Sequence, residues 1–473
     1  MNLYGVLHNE TLLTPTMGPV PVPPMFLQFT TLGNILDLAE KYQVRQLWIS
    51  KGSGLWQGLK HGLDNDLYHA KEFFKRPGRW TIGKGGIKNT ISAWIDGDRG
   101  STKNIILPGL FGDDWALDEI EDPFQLANAL ESFKDNVRVM PSFPFKVARE
   151  LVKQTFPAEP KDLPAFHNTT PAKFWEPWLR DTEHDLIWLR PLTRDEKKMP
   201  FVHAFDKRMM FLSAARNATF GLSDYEEVSA ITAYDLDKNA AGVCEIYDPS
   251  WNVVITPELG PFFKAVFDGR KIWPVELIRF IADQKHLNQS VKIKRAWLSR
   301  KPGRLFENFA KTLGDAIKAT RSEIPSEKAV NASLKKVYTL FFGWLGRNCD
   351  CPECSGATGA EWSDCRRSGY SGGLFRPDWR VQIIAAANAN LLRNAIEVYQ
   401  FTRRLPFGIY HDLLLYAGEN ENAAFDFRQT CLVDDNRFTH EYTLTMKAVT
   451  KTIKDGGGLI EIERIGKEAA ANG

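Results

Sequence analysis

The sequence predicts an α+β protein with more than one domain. Its 473 residues exceed what one ordinary hydrophobic core organises. β-rich runs separated by glycine turns occupy residues 79–108, whereas helical periodicity dominates from residue 304 onward. Residues 156–200 are rich in proline, tryptophan and charge, a composition typical of a surface linker. These observations predict an α/β domain over residues 1–150, a linker over residues 151–200 and a larger region after it.

The composition fits a globular chain without a membrane span. Hydrophobic residues make up 43% of the chain, charged residues make up 25%, and the formal net charge is +2. A nucleic-acid-binding protein of this balance would need its basic residues clustered on one face. No run of about 18 uncharged apolar residues occurs, which is the length that a membrane span requires. Because the N-terminus also lacks a secretory signal pattern, we expect a cytoplasmic protein without membrane contact.

The N-terminal domain has signals for both helices and strands. Thr31–Ala39 reads as a short capped helix and Val44–Ile49 as a strand. Asp122-Pro123 then opens a helix to about Phe133, with Asp as the N-cap and Pro at the first helical position. The strands predicted between these helices are Arg79–Ile82, Thr90–Ile95 and Asn104–Leu107.

The C-terminal half predicts a helical hairpin followed by a long helix. A helix over residues 304–320 places its apolar side chains on one stripe, and a turn with Pro325 follows it. A second helix runs from about Ser326 to Leu345, so we expect the two to form an antiparallel hairpin. An alanine-rich helix over Gln382–Gln400 leads to the strand Gly408–Tyr410.

Two aspartates lie beside strongly apolar runs. Asp206 belongs to the run Phe205–Leu212 and Asp412 to the run Tyr410–Leu415, with a basic, aromatic helix at 335–343 between them. A carboxylate at the end of a buried strand is costly to desolvate unless a cation or hydrogen bonds compensate it. Each acid alone is also explained by a hydrogen-bonded turn. Together they favour a divalent-metal site that handles phosphates.

The order of these segments resembles the palm and fingers of family B DNA polymerases. That family carries Asp-x-x-Ser-Leu-Tyr on an early strand, Lys-x-x-x-Asn-Ser-x-Tyr-Gly on a fingers helix, and Tyr-Gly-Asp-Thr-Asp on a palm hairpin. The resemblance covers about residues 201–450. The matching residues are Asp206 and Phe211 in the first motif, Lys335, Phe342 and Gly343 in the second, and Tyr410 and Asp412 in the third.

The resemblance implies a division of the chain. The fold would be α+β, a polymerase-like palm with a helical fingers hairpin, preceded by the α/β N-terminal domain. The palm would take up residues 201–297 and 377–473, and the fingers hairpin residues 298–347. Residues 348–376 would form a zinc-knuckle-like insertion.

The resemblance also implies DNA-directed nucleotidyl transfer to a primer end. Asp206 and Asp412 would be catalytic and hold two Mg²⁺ or Mn²⁺ ions, which stabilise the attacking and leaving oxygens. The partners would be DNA, as primer-template or single strand, and nucleoside triphosphates. The nucleotide-binding residues would be Lys335, Phe211, Thr339, Phe342, Arg300 and Arg304.

Leu414 departs from the family pattern, because it stands where the family has a second acidic metal ligand. This departure favours an alternative, a catalytically inactive polymerase-like protein that binds nucleic acid in replication or regulation. A zinc-containing regulator of unrelated fold is a third interpretation. If transfer is retained, the small chain fits an accessory replicase of a plasmid, phage or other mobile element. We expect no proofreading, because Asp96-Gly97-Asp98 does not reproduce the family's Asp-x-Glu motif and fits a hairpin turn.

A basic run interrupted by one aromatic residue precedes the hairpin. Trp297 would stack on a base and the cations would contact phosphates, although an ordinary basic surface explains the run as well. Binding through such a run weakens steeply with salt, because phosphate contacts release counterions. The nucleic-acid-binding candidates are Lys292, Lys294, Arg295, Trp297 and Lys301.

Four of the six cysteines lie close together in sequence, at Cys349, Cys351, Cys354 and Cys365. A disulfide scaffold would be denser and more evenly spread. In a reducing compartment, thiolates this close suit a structural Zn²⁺ ion with tetrahedral coordination. Reduced, unliganded surface thiols are the alternative.

Overall fold

The computed structural model describes most of the chain in two compact units. One unit comprises Met1–Thr155 with Lys311–Phe341, and the other comprises Phe156–Ala310 with Phe342–Gly473. No helix among the described residues is long and apolar enough to cross a membrane. The described residues are 4–23, 32–58, 80–82, 90–95, 98–107, 115–141, 144–156, 186–229, 231–233, 236, 240–247, 271–283, 291–345, 376–434 and 436–472.

The first unit contains a mixed seven-stranded sheet. Its strands are β1 (Tyr4–His8), β2 (Thr11–Thr14), β3 (Gly18–Pro21), β4 (Gln46–Ile49), β5 (Trp80–Ile82), β6 (Thr90–Ile95) and β7 (Asp98–Ile106). The spatial order is β3-β2-β1-β4-β7-β6-β5. The pairs β1–β4 and β4–β7 are parallel, and the other neighbours are antiparallel. The strands predicted at Val44–Ile49, Arg79–Ile82 and Thr90–Ile95 are therefore confirmed to within two residues at each end.

Three helices accompany this sheet, α1 (Leu32–Lys41), α2 (Pro123–Val137) and α3 (Pro144–Thr155). The predicted start of α2 is confirmed, because the Asp122 side chain accepts a hydrogen bond from the Gln125 amide at 2.7 Å. This cap satisfies one of the amide groups that a helix leaves unpaired at its first turn. Apolar side chains of α1 pack with those of β1, β4 and β7 in one core cluster.

The second unit is built on a five-stranded antiparallel sheet in the order β18-β9-β17-β16-β8. Smaller sheets, β10-β15 and β11-β14-β12-β13, lie in the same unit. The strands are β8 (Ile187–Leu189), β9 (Phe201–Lys207), β10 (Phe220–Gly221), β11 (Tyr225–Ser229), β12 (Gly242–Ile246), β13 (Ile272–Pro274), β14 (Ile293–Ser299), β15 (Pro302–Gly303), β16 (Gly408–Tyr410), β17 (Leu413–Gly418) and β18 (Phe438–Thr445).

β8 corrects the predicted linker. It lies within residues 151–200 but is an edge strand of the five-stranded sheet, paired with β16 from Leu189 opposite Gly408 to Ile187 opposite Tyr410. The apolar run Ile-Trp-Leu gives this segment a partner in the sheet, so part of the stretch is structural.

The three helices predicted in the C-terminal half are observed with shifted ends. The predicted hairpin corresponds to α6 (Glu307–Ala319) and α7 (Pro325–Leu345). Asn331 of α7 donates to the Ile317 carbonyl of α6 at 2.6 Å and to the Thr320 hydroxyl at 3.1 Å. The predicted helix at Gln382–Gln400 is longer at both ends. The helices are α4 (Met210–Asn217), α5 (Val275–Asp283), α6 (Glu307–Ala319), α7 (Pro325–Leu345), α8 (Pro377–Thr402), α9 (Ala423–Phe427), α10 (Met446–Lys454) and α11 (Leu459–Asn472).

Both faces of the five-stranded sheet are buried at β9. Alternate residues Val202 and Ala204 join a core cluster that includes residues of α10 and α11, and we call this side the α11 face. The intervening residues His203 and Phe205 pack their rings against Phe427, and we call this side the Phe427 face. Side-chain function at β9 is therefore confined to the end of the strand.

Candidate functional site

Asp206 lies at the carboxyl end of β9, where the strand leaves the core. It is partly buried, and the register places it opposite Leu413 of β17 and Thr439 of β18. Alternation along the strand assigns it to the α11 face, with Val202 and Ala204. Its electrostatic field reaches α11, because it contributes, after Glu463 and Glu441, to raising the pKa of Lys467.

Asp412 lies in the two-residue turn that joins β16 to β17. The turn begins at His411, whose φ of 56° is left-handed, and closes where Tyr410 pairs with Leu413. The Lys207 amide donates to the Asp412 carbonyl oxygen at 2.9 Å, so Asp412 stands opposite Lys207. Successive residues of a strand point to opposite faces, so Asp206 and Lys207 lie on different faces of β9. The residue opposite Asp206 is therefore Leu413, and Asp412 is one residue further along.

Leu414 is fully buried and pairs with Phe205 on the Phe427 face. The sequence motif aligns this residue with the second acid of the family. In the sheet, however, the residue beside Asp206 is Leu413, which is 6% exposed and belongs to the core cluster of the α11 face. Apolar side chains therefore occupy both positions where a second carboxylate would be expected.

Metal-ligating groups are sparse in the described ranges. There, no group of three or more His, Cys, Asp or Glu side chains is arranged to hold a metal ion. Carboxylate oxygens are ligands of the type that Mg²⁺ and Mn²⁺ prefer, so Asp206 and Asp412 suit such ions in kind. The proposed zinc ligands Cys349, Cys351, Cys354 and Cys365 lie outside the described residues.

The residues that follow Asp206 form a tight turn into α4. Met209 has a left-handed φ of 48°, and Phe211 lies partly buried in the first turn of the helix. Lys207 lies 4.5 Å from the ring centre of Phe438. Burial, with the nearby Arg437 guanidinium, lowers the pKa of Lys207 to about 8. This end of the sheet therefore holds a partly desolvated cation beside the turn that carries Asp412.

Helix α7 exposes two of the three predicted nucleotide-binding residues. Lys335 and Thr339 are exposed, with the Thr339 hydroxyl bonded to the Lys335 carbonyl at 2.9 Å. Phe342 is only 5% exposed, because its ring packs edge-on against Phe306. The expectation that its ring offers a flat surface to a base is therefore corrected. Gly343, four residues after Thr339, is exposed on the same side of the helix as Lys335 and Thr339.

The predicted phosphate-binding arginines lie on an exposed turn between β14 and α6. Arg300 is 71% exposed and forms an ion pair with Glu226, and both Lys301 and Arg304 are exposed. The turn is fixed by its main chain, since the Lys301 amide donates to the Ser223 hydroxyl at 3.0 Å. Three cationic side chains thus lie within five consecutive residues whose main chain is held in place. We call this segment the 300–304 turn.

The basic residues of β14 are differently situated. Glu245 accepts hydrogen bonds from Lys294 at 3.0 Å and from Arg295 at 2.5 Å. Trp297 is 3% exposed, and the Arg295 guanidinium lies 4.7 Å from its ring centre, which leaves little of the ring for a base. Lys292 is exposed at the start of the strand.

A further set of cations was not among the sequence candidates. Lys447, Lys451 and Lys454 are exposed on α10, a helix that contains no acidic residue. The signal was present in the sequence, because lysines at positions i, i+4 and i+7 share a helix face. It is weaker than a motif, since a row of lysines is also typical of a solvated surface.

No protein-family model and no curated protein sequence matches this chain. Solved structures of phi29 DNA polymerase show a distant likeness. The complex with primer-template DNA matches with a TM-score of 0.44 and 11% identity, over 94% of this chain and 84% of that chain. The complex with single-stranded DNA matches with a TM-score of 0.41 and 13% identity, over 92% of this chain and 80% of that chain. The ternary complex with primer-template DNA and incoming nucleotides matches with a TM-score of 0.41 and 14% identity, over 87% of this chain and 78% of that chain. Likeness at this level assigns neither an activity nor a ligand to this chain.

Proposed function

We propose that this chain is a polymerase-like nucleic-acid-binding protein that binds DNA without catalysing nucleotidyl transfer. The observation that carries the proposal is the environment of Asp206. Its cross-strand neighbours are Leu413 and Thr439. Two-metal phosphoryl transfer needs ions about 3.5–4 Å apart, bridged by shared carboxylates. Neither cross-strand position beside Asp206 supplies a second carboxylate, which is where such a bridge would be expected.

Binding is supported by the 300–304 turn. Its three side chains are exposed, and its main chain is held by the β10–β15 pair and by Ser223. Arginine presents a planar fork that matches phosphate oxygens, and contacts to phosphates position a protein on nucleic acid without reading sequence.

Nucleotidyl transfer is the second candidate, and one observation favours it. The hydrogen bond from the Lys207 amide to the Asp412 carbonyl places Asp412 opposite Lys207. Asp412 is therefore only one residue away from the position opposite Asp206. In this alternative, Asp206 and Asp412 hold Mg²⁺ or Mn²⁺. A small rearrangement of the His411–Asp412 turn would be needed to bring the second carboxylate to the α11 face.

Asp206→Asn separates these candidates. Asparagine keeps the shape of the side chain and removes its charge. We expect binding of a fluorescent primer-template to change less than about twofold and no primer extension by the wild-type protein with Mg²⁺ or Mn²⁺. Extension by the wild type that Asp206→Asn abolishes would establish the second candidate instead. Asp195→Asn, at an exposed acid of the same unit, is the matched control.

A further inference from the structure

Helix α10 presents a row of three lysines to solvent. Thr445 caps the helix by accepting from the Ala448 amide at 3.3 Å, and Met446 and Val449 are buried in the core cluster of the α11 face. The opposite side carries the exposed residues, which we call the α10 lysine row. Its members are Lys447, Lys451 and Lys454. At a rise of about 1.5 Å per residue, the row is roughly 10 Å long.

The row has no countercharge within its own helix. The sequence of α10 contains no aspartate or glutamate. The neighbouring helix α11 differs, because Arg464 pairs with Glu461 and Glu468, and Lys467 pairs with Glu463 at 2.5 Å. Cations are thus neutralised on one helix and left together on the next.

The first lysine of the row is placed against the helix dipole, whereas Lys451 and Lys454 lie in the last turn, where the dipole favours cations. Lys447 lies in the first turn, where the helix dipole favours an anion. Lys451 is four residues further along, a spacing at which like charges repel. A sequence optimised for stability alone would place an acid at residue 447. The stability of the helix does not explain a lysine at residue 447, whereas binding to a polyanion does.

Further cations flank the row. The Met446 amide donates to the Pro200 carbonyl at 2.8 Å, which joins the start of α10 to the segment before β9. Arg194 and Lys197 are exposed in that segment, beside the exposed Asp195, which pairs with Lys198.

We propose that the α10 lysine row is a second contact for the DNA phosphate backbone, on a different element from the 300–304 turn. This inference rests on the proposed function. Ammonium groups act as point charges without the fork that reads a base, which suits backbone contact. One DNA strand places a phosphate about every 3.4 Å along the axis, so a row of roughly 10 Å spans about three phosphates.

A membrane surface is the less favoured partner. Interfacial helices bury an apolar face in the lipid boundary. The apolar face of α10 is already buried, with Met446 5% exposed and Val449 0% exposed. Only the charged face remains available, and it has no hydrophobic anchor.

The test compares two triple variants that each remove three positive charges. One is Lys447→Gln, Lys451→Gln and Lys454→Gln. The control is Lys134→Gln, Lys153→Gln and Lys328→Gln, which lie on α2, α3 and α7. Glutamine has a helix propensity close to that of lysine, so both variants should fold. The measured quantity is the affinity for a fluorescent DNA duplex between about 50 and 300 mM salt, a range over which phosphate contacts are strongly weakened.

We expect the slope of log affinity against log salt to fall in magnitude by about 2 to 3 in the α10 variant, because each duplex phosphate contact contributes about 0.9. The control should keep the wild-type slope. An equal loss in both variants, or an unchanged slope in the α10 variant, would overturn this inference while leaving the proposed function intact. Loss of binding to anionic vesicles in the α10 variant, with its DNA binding unchanged, would assign the row to lipid and overturn it. No DNA binding by the wild type would remove the proposed function itself.

Discussion

His203 is the clearest case of a residue whose chemistry is set by its surroundings. Its side chain is fully buried on β9. The Asn420 carbonyl, 3.0 Å from Nε2, can only accept, so Nε2 donates to it and Nδ1 of the neutral ring accepts from the Thr443 hydroxyl at 3.0 Å. Burial, with the neighbouring His440, lowers the pKa of His203 to about 4 despite the Asp426 carboxylate 3.7 Å away. The neutral ring ties the loop after β17 to the sheet.

His203 should make folding stability depend on pH. In the unfolded chain it protonates near its ordinary pKa of 6.5, whereas in the folded protein it stays neutral down to about 4. Stability is therefore constant with respect to this group above pH 6.5 and falls as the pH drops toward 4. We expect wild type to lose about 2 kcal/mol more than His203→Gln between pH 7 and pH 4.5, measured by urea unfolding. Parallel losses in the two proteins would contradict this, and the range from pH 7 to 8 serves as the flat control.

At the scale of elements, the start of α8 is held by a buried ion pair. Arg376 and Asp378 have fully buried side chains joined at 2.5 Å, and Tyr225 of β11 donates to the same carboxylate at 2.9 Å. Burial alone would lower the pKa of Arg376, but the Asp378 carboxylate outweighs it and raises the pKa. Arg376 also donates to the Gly221 carbonyl at 3.0 Å, which ties α8 to β10.

Removing one partner of this pair should be costly. Asp378→Leu leaves a guanidinium buried without its carboxylate, so we expect a loss of about 3 to 5 kcal/mol in the free energy of unfolding. The double variant Arg376→Met with Asp378→Leu should recover much of that loss, because no buried charge remains. Denaturant unfolding of the wild type, of Asp378→Leu, of Arg376→Met and of the double variant gives the coupling energy. Additive losses would mean that the pair does not act as a unit.

The contact of α11 with the sheet depends on a glycine. A Cβ at Gly466 would overlap the ring of Tyr442 on β18. We expect Gly466→Ala to destabilise the protein by about 1 to 3 kcal/mol, the usual range for overpacking. Gly343→Ala on α7 is the matched control, because a Cβ there meets nothing within 4 Å and should be neutral or stabilising by up to about 1 kcal/mol. Thermal unfolding of both variants checks the contrast, and similar losses would refute it.

Local signals in the sequence predicted elements well and contacts between them poorly. The Asp122-Pro123 cap and the strand Gly408–Tyr410 were found because capping and β-propensity depend on adjacent residues. The neighbour of Asp206 was not found, since a register shift of one residue exchanges Leu413 for Leu414 and reverses the face. The burial of Phe342 depends equally on a distant partner, Phe306.

At the scale of the whole molecule, charge is nearly balanced, with 60 basic and 58 acidic residues. Function therefore depends on which cations remain exposed. Glu245 pairs with Lys294 and Arg295 of β14, and Glu226 pairs with Arg300, while Lys301, Arg304 and the α10 lysine row are exposed. Such local concentrations attract phosphates even when the net charge is small.

Neutralising the 300–304 turn should weaken DNA binding in a salt-dependent way. For Arg300→Gln, Lys301→Gln and Arg304→Gln together, we expect the salt slope to fall in magnitude by about 2 to 3, as for the loss of three phosphate contacts. The triple variant at Lys134, Lys153 and Lys328 controls for the change in net charge. Equal slopes in wild type and the 300–304 variant would exclude the turn from the interface.

The affinity of the wild-type protein for a fluorescent primer-template, titrated over salt with and without added Mg²⁺, tests the central claim most directly. The proposal predicts binding that weakens steeply with salt and is at least as tight without added Mg²⁺ as with it, because cationic side chains carry it and Mg²⁺ competes with them for the phosphates. Binding that appears only with added Mg²⁺ and is lost in Asp206→Asn, or no binding at low salt, would contradict it.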